Sequence, residues 1–242
     1  MALAWKSEVL NLIFPPLCIA CREPGASSGF CAECWSSIQF LDGPLCSRCG
    51  IPFEVPLEGE CAVCLSYPPS FDKARAILRY DDVSRAPILA LKHADRLDLV
   101  PGFGQWLERV GRDLIGASDV IVPVPLHPFR LWRRRYNQAA ELARALSRRS
   151  GLPLDTAALI RQRPTASQGA MPSAKARRRN VLGAFRVPEP ERVAGKHVLL
   201  LDDVLTTGAT VEAAGRALRR AGAAGVRILA LARVVRAAEI PI

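Results

Sequence analysis

The chain has 242 residues, half of them apolar and 23% charged, which is enough for one or two cored domains and excludes a wholly disordered protein. Repeats and low-complexity tracts are absent, so solenoid, coiled-coil and fibrous classes are excluded. The apolar runs at 120–124, 198–201 and 226–232 fall far short of the roughly 18–20 residues that a membrane helix requires, so no bilayer span is expected. The formal charge of +10 is unevenly placed, because residues 127–192 hold fifteen Lys and Arg against four Asp and Glu. This block runs from Arg130 through Arg133, Arg134 and Arg135 to Lys175, Arg177, Arg178 and Arg179. It points to an anionic partner, either small-molecule phosphate or nucleic-acid backbone; a solvated arginine-rich face is the plain alternative.

At the amino end, residues 5–14 carry Val9, Leu10, Ile13 and Phe14 and are expected to form a short packing helix; membrane-surface contact is the alternative, disfavoured by its single lysine. Pro15 and Pro16 interrupt this stretch before any small-residue cleavage site, so a signal peptide is not expected and the reducing cytoplasm is the expected location.

All eight cysteines follow, as four Cys-x-x-Cys pairs: Cys18 and Cys21, Cys31 and Cys34, Cys46 and Cys49, Cys61 and Cys64. Two thiolates separated by two residues can face one ion from a tight turn, and two such turns complete a tetrahedral zinc site. Pairing neighbouring turns gives two tandem ribbons, and an interleaved arrangement is also open. No histidine, carboxylate or water position is implied, so two structural Zn2+ ions are expected. A redox role would need a strand and helix around one pair, which this Pro- and Gly-broken segment lacks. The composition changes at 67–70, around Pro68 and Pro69, which separates a ribbon module at 1–66 from a second domain at 70–242.

In that second part, strands are expected at 74–80, 120–124, 154–161, 197–201 and 226–235, and helices at 84–92, 97–110, 137–149, 174–182 and 210–221. The alternation predicts an α/β fold with a parallel sheet covered on both faces and a ligand outside the carboxyl ends of its strands. Lys92 and His93 close a helix, where they can answer its dipole or serve a phosphate. Trp132 and Tyr136 interleave with the arginines, as a base-stacking platform would require, although both could be packed beneath the helix.

The most informative string is LLLDDVLTTGAT at 199–210. A buried strand, a small-residue loop and a helix start together form an anion cradle, in which amides and the hydroxyls of Thr206, Thr207 and Thr210 converge on a phosphate. Asp202 and Asp203 would repel phosphate, but each ionised carboxylate accepts hydrogen bonds from vicinal hydroxyls, so a phosphorylated ribose satisfies both halves. No Walker-type loop and no Gly-x-Ser-x-Gly occur, and hydrolase chemistry lacks a nucleophile.

This string resembles the phosphoribosyl pyrophosphate (PRPP) signature of type I phosphoribosyltransferases. With the cysteine pairs, the PVPL stretch and the RRRYNQ segment at 133–138, the chain is similar to the ComF family over nearly its whole length. That resemblance implies a double zinc ribbon joined to a phosphoribosyltransferase domain, PRPP bound with Mg2+, and a link to DNA uptake in natural transformation. Single-stranded DNA and competence or helicase proteins are the partners it implies. Carried over, Asp202 and Asp203 hold the ribose, while Val204, Leu205, Thr206, Thr207, Gly208, Ala209 and Thr210 form the PRPP loop. Pro123, Val124, Pro125 and Leu126 form the pyrophosphate loop. Where the family reads Arg-Gly-Phe-Asn-Gln, this chain has Arg134, Arg135, Tyr136, Asn137 and Gln138, so an arginine replaces the glycine. Arg163, Thr165 and Gln168, then Arg177 and Asn180, resemble the family's mobile hood; Arg134, Arg163 and Arg177 are the candidate pyrophosphate or DNA contacts. No catalytic residue is identified. A pentosyltransferase using PRPP, a PRPP-sensing module without turnover and a single-stranded-DNA-binding protein are the three functional readings.

Overall fold

A computed structural model describes residues 17–24, 30–93, 96–165 and 173–235. The helix expected at 5–14 and Gln168 lie outside these residues.

Four parallel strands form the sheet: β1 (Lys73–Arg79), β2 (Val120–Pro123), β5 (His197–Leu205) and β6 (Gly225–Arg233), in the order β1-β6-β5-β2. Because both faces of the sheet are covered, the central strands carry runs of Val, Leu, Ile and Ala, and Val198 through Leu201 are fully buried, whereas edge strand β1 alternates Lys73 and Arg75 with buried Ala74 and Ala76. A separate two-stranded antiparallel pair joins β3 (Ile160–Arg161) to β4 (Phe185–Arg186). The strand expected at 154–161 is thus reduced to its last two residues and a single bridge from Leu154 to Ile121. The Asp155 carboxylate accepts from the amides of Ala157 and Ala158, both at 2.9 Å, and this Asx turn breaks the extended backbone.

Two short helices, α1 (Ala32–Ser36) and α2 (Ala62–Ser66), belong to the cysteine-bearing segment. After β1 come α3 (Asp82–His93), α4 (Val100–Val110) and α5 (Arg112–Gly116). A 3-10 turn at Leu97–Leu99 takes the first residues of the helix expected at 97–110. After β2 come α6 (Pro128–Arg134), which sequence reading missed, and α7 (Gln138–Ser150). The last two are α8 (Ala174–Val181) and α9 (Ala209–Arg220). Local chemistry fixes several helix ends. Asp81 and Ser84 cap each other's backbone amides at 2.9 Å, which starts α3 two residues earlier than expected. The Asn137 side chain caps α7 from Ala139 N, and Gly151 in the left-handed region ends that helix.

The cysteine segment is built into the sheet. Leu41 N donates to Ile77 O at 2.8 Å and Arg79 N to Gln39 O at 2.9 Å, so residues 39–41 form an antiparallel rim along the β1 edge. Alternation sends Phe40 and Leu41 to opposite faces, into the two separate cores. On one face Trp106 of α4 meets Phe30, Trp35 and Phe40 with ring centroids 5.6–6.1 Å apart. On the other face Gly50, at φ +70°, allows Arg48 O to accept from Ala74 N at 2.6 Å; a Cβ at Gly50 would lie 2.4 Å from Ala74 O.

Candidate functional site: an Asp-Asp strand end, its loop, and two four-cysteine centres

The structure pairs neighbouring cysteine turns. The Sγ atoms of Cys18, Cys21, Cys31 and Cys34 lie within 4.8 Å of one another, as do those of Cys46, Cys49, Cys61 and Cys64. A tetrahedral ion with zinc–sulfur bonds of about 2.3 Å sets its ligands about 3.8 Å apart. The Cys21–Cys31 separation is 3.7 Å and the Cys49–Cys61 separation is 3.8 Å, so both sets fit zinc. Backbone amides of Cys34 and Cys49 turn back on the sulfurs of Cys31 and Cys46 at 3.4 Å, which is the knuckle geometry that supports a thiolate. The Cys64 thiol's hydrogen bond brings Cys49 down to about 5 and pushes Cys64 itself well up. Four thiolates with no open position close the shell, so zinc here holds structure.

At the carboxyl end of β5 the chain leaves the core as Asp202 and Asp203. The Asp203 amide donates to Asp202 Oδ1 at 2.8 Å, and Asp203 Oδ2 lies 3.1 Å from Lys92 Nζ at the end of α3. This ion pair is a role for Lys92 beyond the two expected of it, the helix dipole and a phosphate. Desolvation raises the Asp202 carboxyl from 3.8 to about 7, Asp203 adds to this, and the charges of Lys92 and Arg161 act against it. Gly208 adopts φ +72° at the start of α9, and the buried Thr207 Oγ1 has no hydrogen-bond partner among the described residues. Thr206, Thr207 and Gly208 form the turn into Ala209, the first residue of α9, and Val204 and Leu205 at the end of β5 anchor it in opposite cores.

The β2 register sets Pro123 opposite Leu201, and Val124 N donates to Leu201 O at 2.9 Å, which brings Val124, Pro125 and Leu126 alongside Asp202. Asn137 Nδ2 donates to Val124 O at 3.0 Å, and Tyr136 Oη donates to Leu91 O at 2.5 Å. The RRRYNQ segment therefore ties this loop to the end of α3 that carries Lys92, and Tyr136 is held inward. Trp132 is the reverse case, 79% exposed beside the exposed Phe129, with ring centroids 6.4 Å apart.

The candidate arginines fall in different places. Arg134 Nη1 meets Gln138 Oε1 at 3.3 Å. Arg163 Nη2 donates to the carbonyls of Asn180 and Leu182 at 3.0 and 2.6 Å, fastening β3 to the end of α8. Arg177 lies on α8, with its Nε buried and without a hydrogen-bond partner among the described residues. The sequence reading missed Arg161. It is 6% exposed, 5.2 Å over the Phe185 ring, hydrogen-bonded to Thr165 Oγ1, and its field reaches Asp202. Desolvation and the neighbouring Arg130 charge lower it to about 10, so it stays cationic at neutral pH. An Arg closing the strand expected at 154–161 was the available signal, but its approach to Asp202 depends on the fold and not on local spacing.

The double zinc ribbon domain family matches residues 9–65, and the phosphoribosyl transferase domain family matches residues 137–239. The chain is similar to the DNA utilization protein YhgH of Escherichia coli K12, 36% identical over 231 residues that cover 93% of this chain and 100% of that protein. It is 32% identical over 224 residues to Competence protein F of Haemophilus influenzae, covering 89% of this chain and 96% of that one. It is 26% identical over 202 residues to Competence protein ComFC of Bacillus subtilis, covering 80% and 79%. Among the described residues no helix is long and apolar enough to cross a membrane. Paired cysteine centres, a parallel strand ending in Asp-Asp and a glycine-initiated turn into α9 coincide with full-length similarity to these relatives, and the chain belongs to the ComF family, a double zinc ribbon joined to a phosphoribosyltransferase domain.

Proposed function

We propose that this protein binds PRPP with Mg2+ and transfers its phosphoribosyl group to an acceptor, in a cytoplasmic DNA-handling role like that named for its relatives. The observation that carries this reading is the juxtaposition of Asp202 and Asp203 with the turn at Thr206–Ala209. Asp202 and Asp203 accept from the ribose hydroxyls, and the loop amides with the hydroxyls of Thr206, Thr207 and Thr210 take the 5′-phosphate. Mg2+ would neutralise pyrophosphate charge from beside Pro123–Leu126. Lys92 and Arg161 supply fixed positive charge at the same end of β5, where the leaving oxygen gains negative charge as the bond to C1 breaks. The acceptor then bonds to C1. Release of pyrophosphate from PRPP across a panel of nucleobases and amines tests turnover; PRPP binding without release on any acceptor would assign a sensing module.

A second activity is favoured by Phe129 and Trp132, two exposed rings among Arg130, Arg134 and Arg135. We infer that they stack bases of single-stranded DNA while the basic block tracks its backbone. Competence or helicase proteins would be met through the same role. The ribbon module at 1–66 and the transferase-like domain at 70–242 act as one unit in this reading, because the rim at 39–41 is part of the sheet.

A further inference from the structure

A cavity of about 350 Å³ separates the second cysteine centre from the phosphate loop. One wall is Thr206–Ala209, and the far wall carries Cys49, Cys61 and Cys64. Between them lie apolar, flat-sided residues, among them Ile51, Val63, Tyr67 and Pro68, with the guanidiniums of Arg178 and Arg233 at the sides. Asp202, Asp203 and the loop at 123–126 do not line it. It therefore lies on the ribbon side of the phosphate loop, apart from the carboxylates.

Ribose chemistry decides what such a space can hold. C1 and C5 sit on opposite sides of the ring oxygen. With the vicinal hydroxyls on Asp202 and Asp203 and the 5′-phosphate on the loop, C1 faces away from the loop, so the acceptor does not enter this cavity. What remains is a group bonded to the 5′-phosphate itself. The volume is at the lower end of the roughly 300–1,000 Å³ of ligand sites, enough for one nucleoside. Tyr and Pro surfaces suit a base, and guanidiniums suit a bridging phosphate. The Arg178 side chain, which lines the cavity, has no hydrogen-bond or ion-pair partner among the described residues.

We propose that the site accepts a ribose with free 2′ and 3′ hydroxyls whose 5′-phosphate is linked to a second nucleoside, the second nucleoside lying in the cavity between the phosphate loop and the second zinc ribbon. The inference rests on the ribose reading above and extends it on the 5′ side. PRPP occupies the ribose and phosphate positions and leaves the cavity to solvent; a 5′-nucleotidyl ribose fills both. This chemistry occurs in free dinucleotides and at the 3′ end of an RNA strand.

The test is calorimetric titration of the full-length, zinc-loaded protein with ribose 5-phosphate, ADP-ribose and the RNA dinucleotide ApA. At least one of the latter two binds about tenfold or more tighter than ribose 5-phosphate. The tighter of the two assigns the source, free dinucleotide or RNA end. Val63→Trp, at a 56% exposed position that can fill the cavity without disturbing a core, removes that gain and leaves ribose 5-phosphate binding unchanged, and Arg178→Ser reduces it. Zinc content and melting temperature report whether each variant is folded. If ribose 5-phosphate binds and neither extended ligand binds tighter, or if Val63→Trp leaves the gain intact, the cavity assignment is overturned while the ribose reading stands. If none of the three binds, both are overturned.

Discussion

Arg233 Nη1 donates to the Cys49 carbonyl at 2.8 Å, and the next amide, Val234 N, donates to Leu205 O at 2.8 Å. The second cysteine centre is therefore connected through two adjacent residues to the end of β5, where the loop into α9 begins. Zinc in peptide-sized four-ligand sites contributes roughly 10–16 kcal/mol to folding, so its loss releases the Cys49 anchor. Cys46→Ser should lower zinc content from two ions to one and weaken PRPP binding about tenfold or more. Cys21→Ser, in the centre on the other face of the sheet, should remove one zinc with a smaller effect on affinity. Metal analysis paired with calorimetry checks both; equal PRPP affinity in Cys46→Ser and wild type would deny the coupling.

Arg135 ends α6 at φ +65°, in the left-handed region that costs a residue with a Cβ about 1–2 kcal/mol. The glycine that the family resemblance places here would meet that conformation freely, and the arginine is strained in it. Arg135→Gly should stabilise the zinc-loaded protein by about 1 kcal/mol after the glycine's larger unfolded-state entropy is subtracted, a rise of about 2–4 °C in Tm. A fall in Tm would mean that the Arg135 side chain makes contacts outweighing the strain.

The parallel sheet was legible because β5 and β6 carry the buried apolar runs 198–201 and 228–232 and α9 repeats its buried Val211, Ala214 and Leu218 at helical spacing. The zinc sites were equally legible, since thiol spacing alone defines a knuckle. What escaped sequence reading depends on contacts between distant segments. The 39–41 rim makes sense only once the β1 edge exists. Helix α6 carries Phe129 and Trp132 on solvent and so lacks a buried stripe. Arg161 becomes part of the site only because β3 folds back beneath Asp202's field. Asp155, read as strand, acts through a side-chain hydrogen-bond pattern that periodicity does not register.

The raised Asp202 carboxyl predicts a pH dependence. Its folded value of about 7 lies above the ordinary 3.8, so ionisation opposes folding, and this contribution to stability is lost as pH rises from about 4 to about 7. Ligand binding has the opposite sign, because only the ionised carboxylate accepts from both hydroxyls. PRPP affinity should be about tenfold lower at pH 6 than at pH 8, and Asp202→Asn should flatten that difference to what the ligand's own phosphates contribute. Equal slopes in the two proteins would remove Asp202 from the titration.

Single-stranded DNA should bind in the ~10⁻⁴–10⁻⁶ M range expected of non-specific contacts, with log affinity falling at about −0.7 per phosphate neutralised as log salt rises. Trp132→Ala should lose about 1–3 kcal/mol of that binding while keeping the salt slope. Undetectable binding at low salt would leave the basic block as a solvated face.

The measurement that reaches the central claim most directly is titration of PRPP with Mg2+ into wild type and into the Asp202→Asn, Asp203→Asn double variant. Each lost charge-assisted hydrogen bond is worth about 1.5–3 kcal/mol, so the account predicts saturable binding to wild type and a loss of about a hundredfold or more in the variant, with two zinc ions retained in both. Equal affinity in the two proteins, or no PRPP binding by the zinc-loaded wild type, would contradict it.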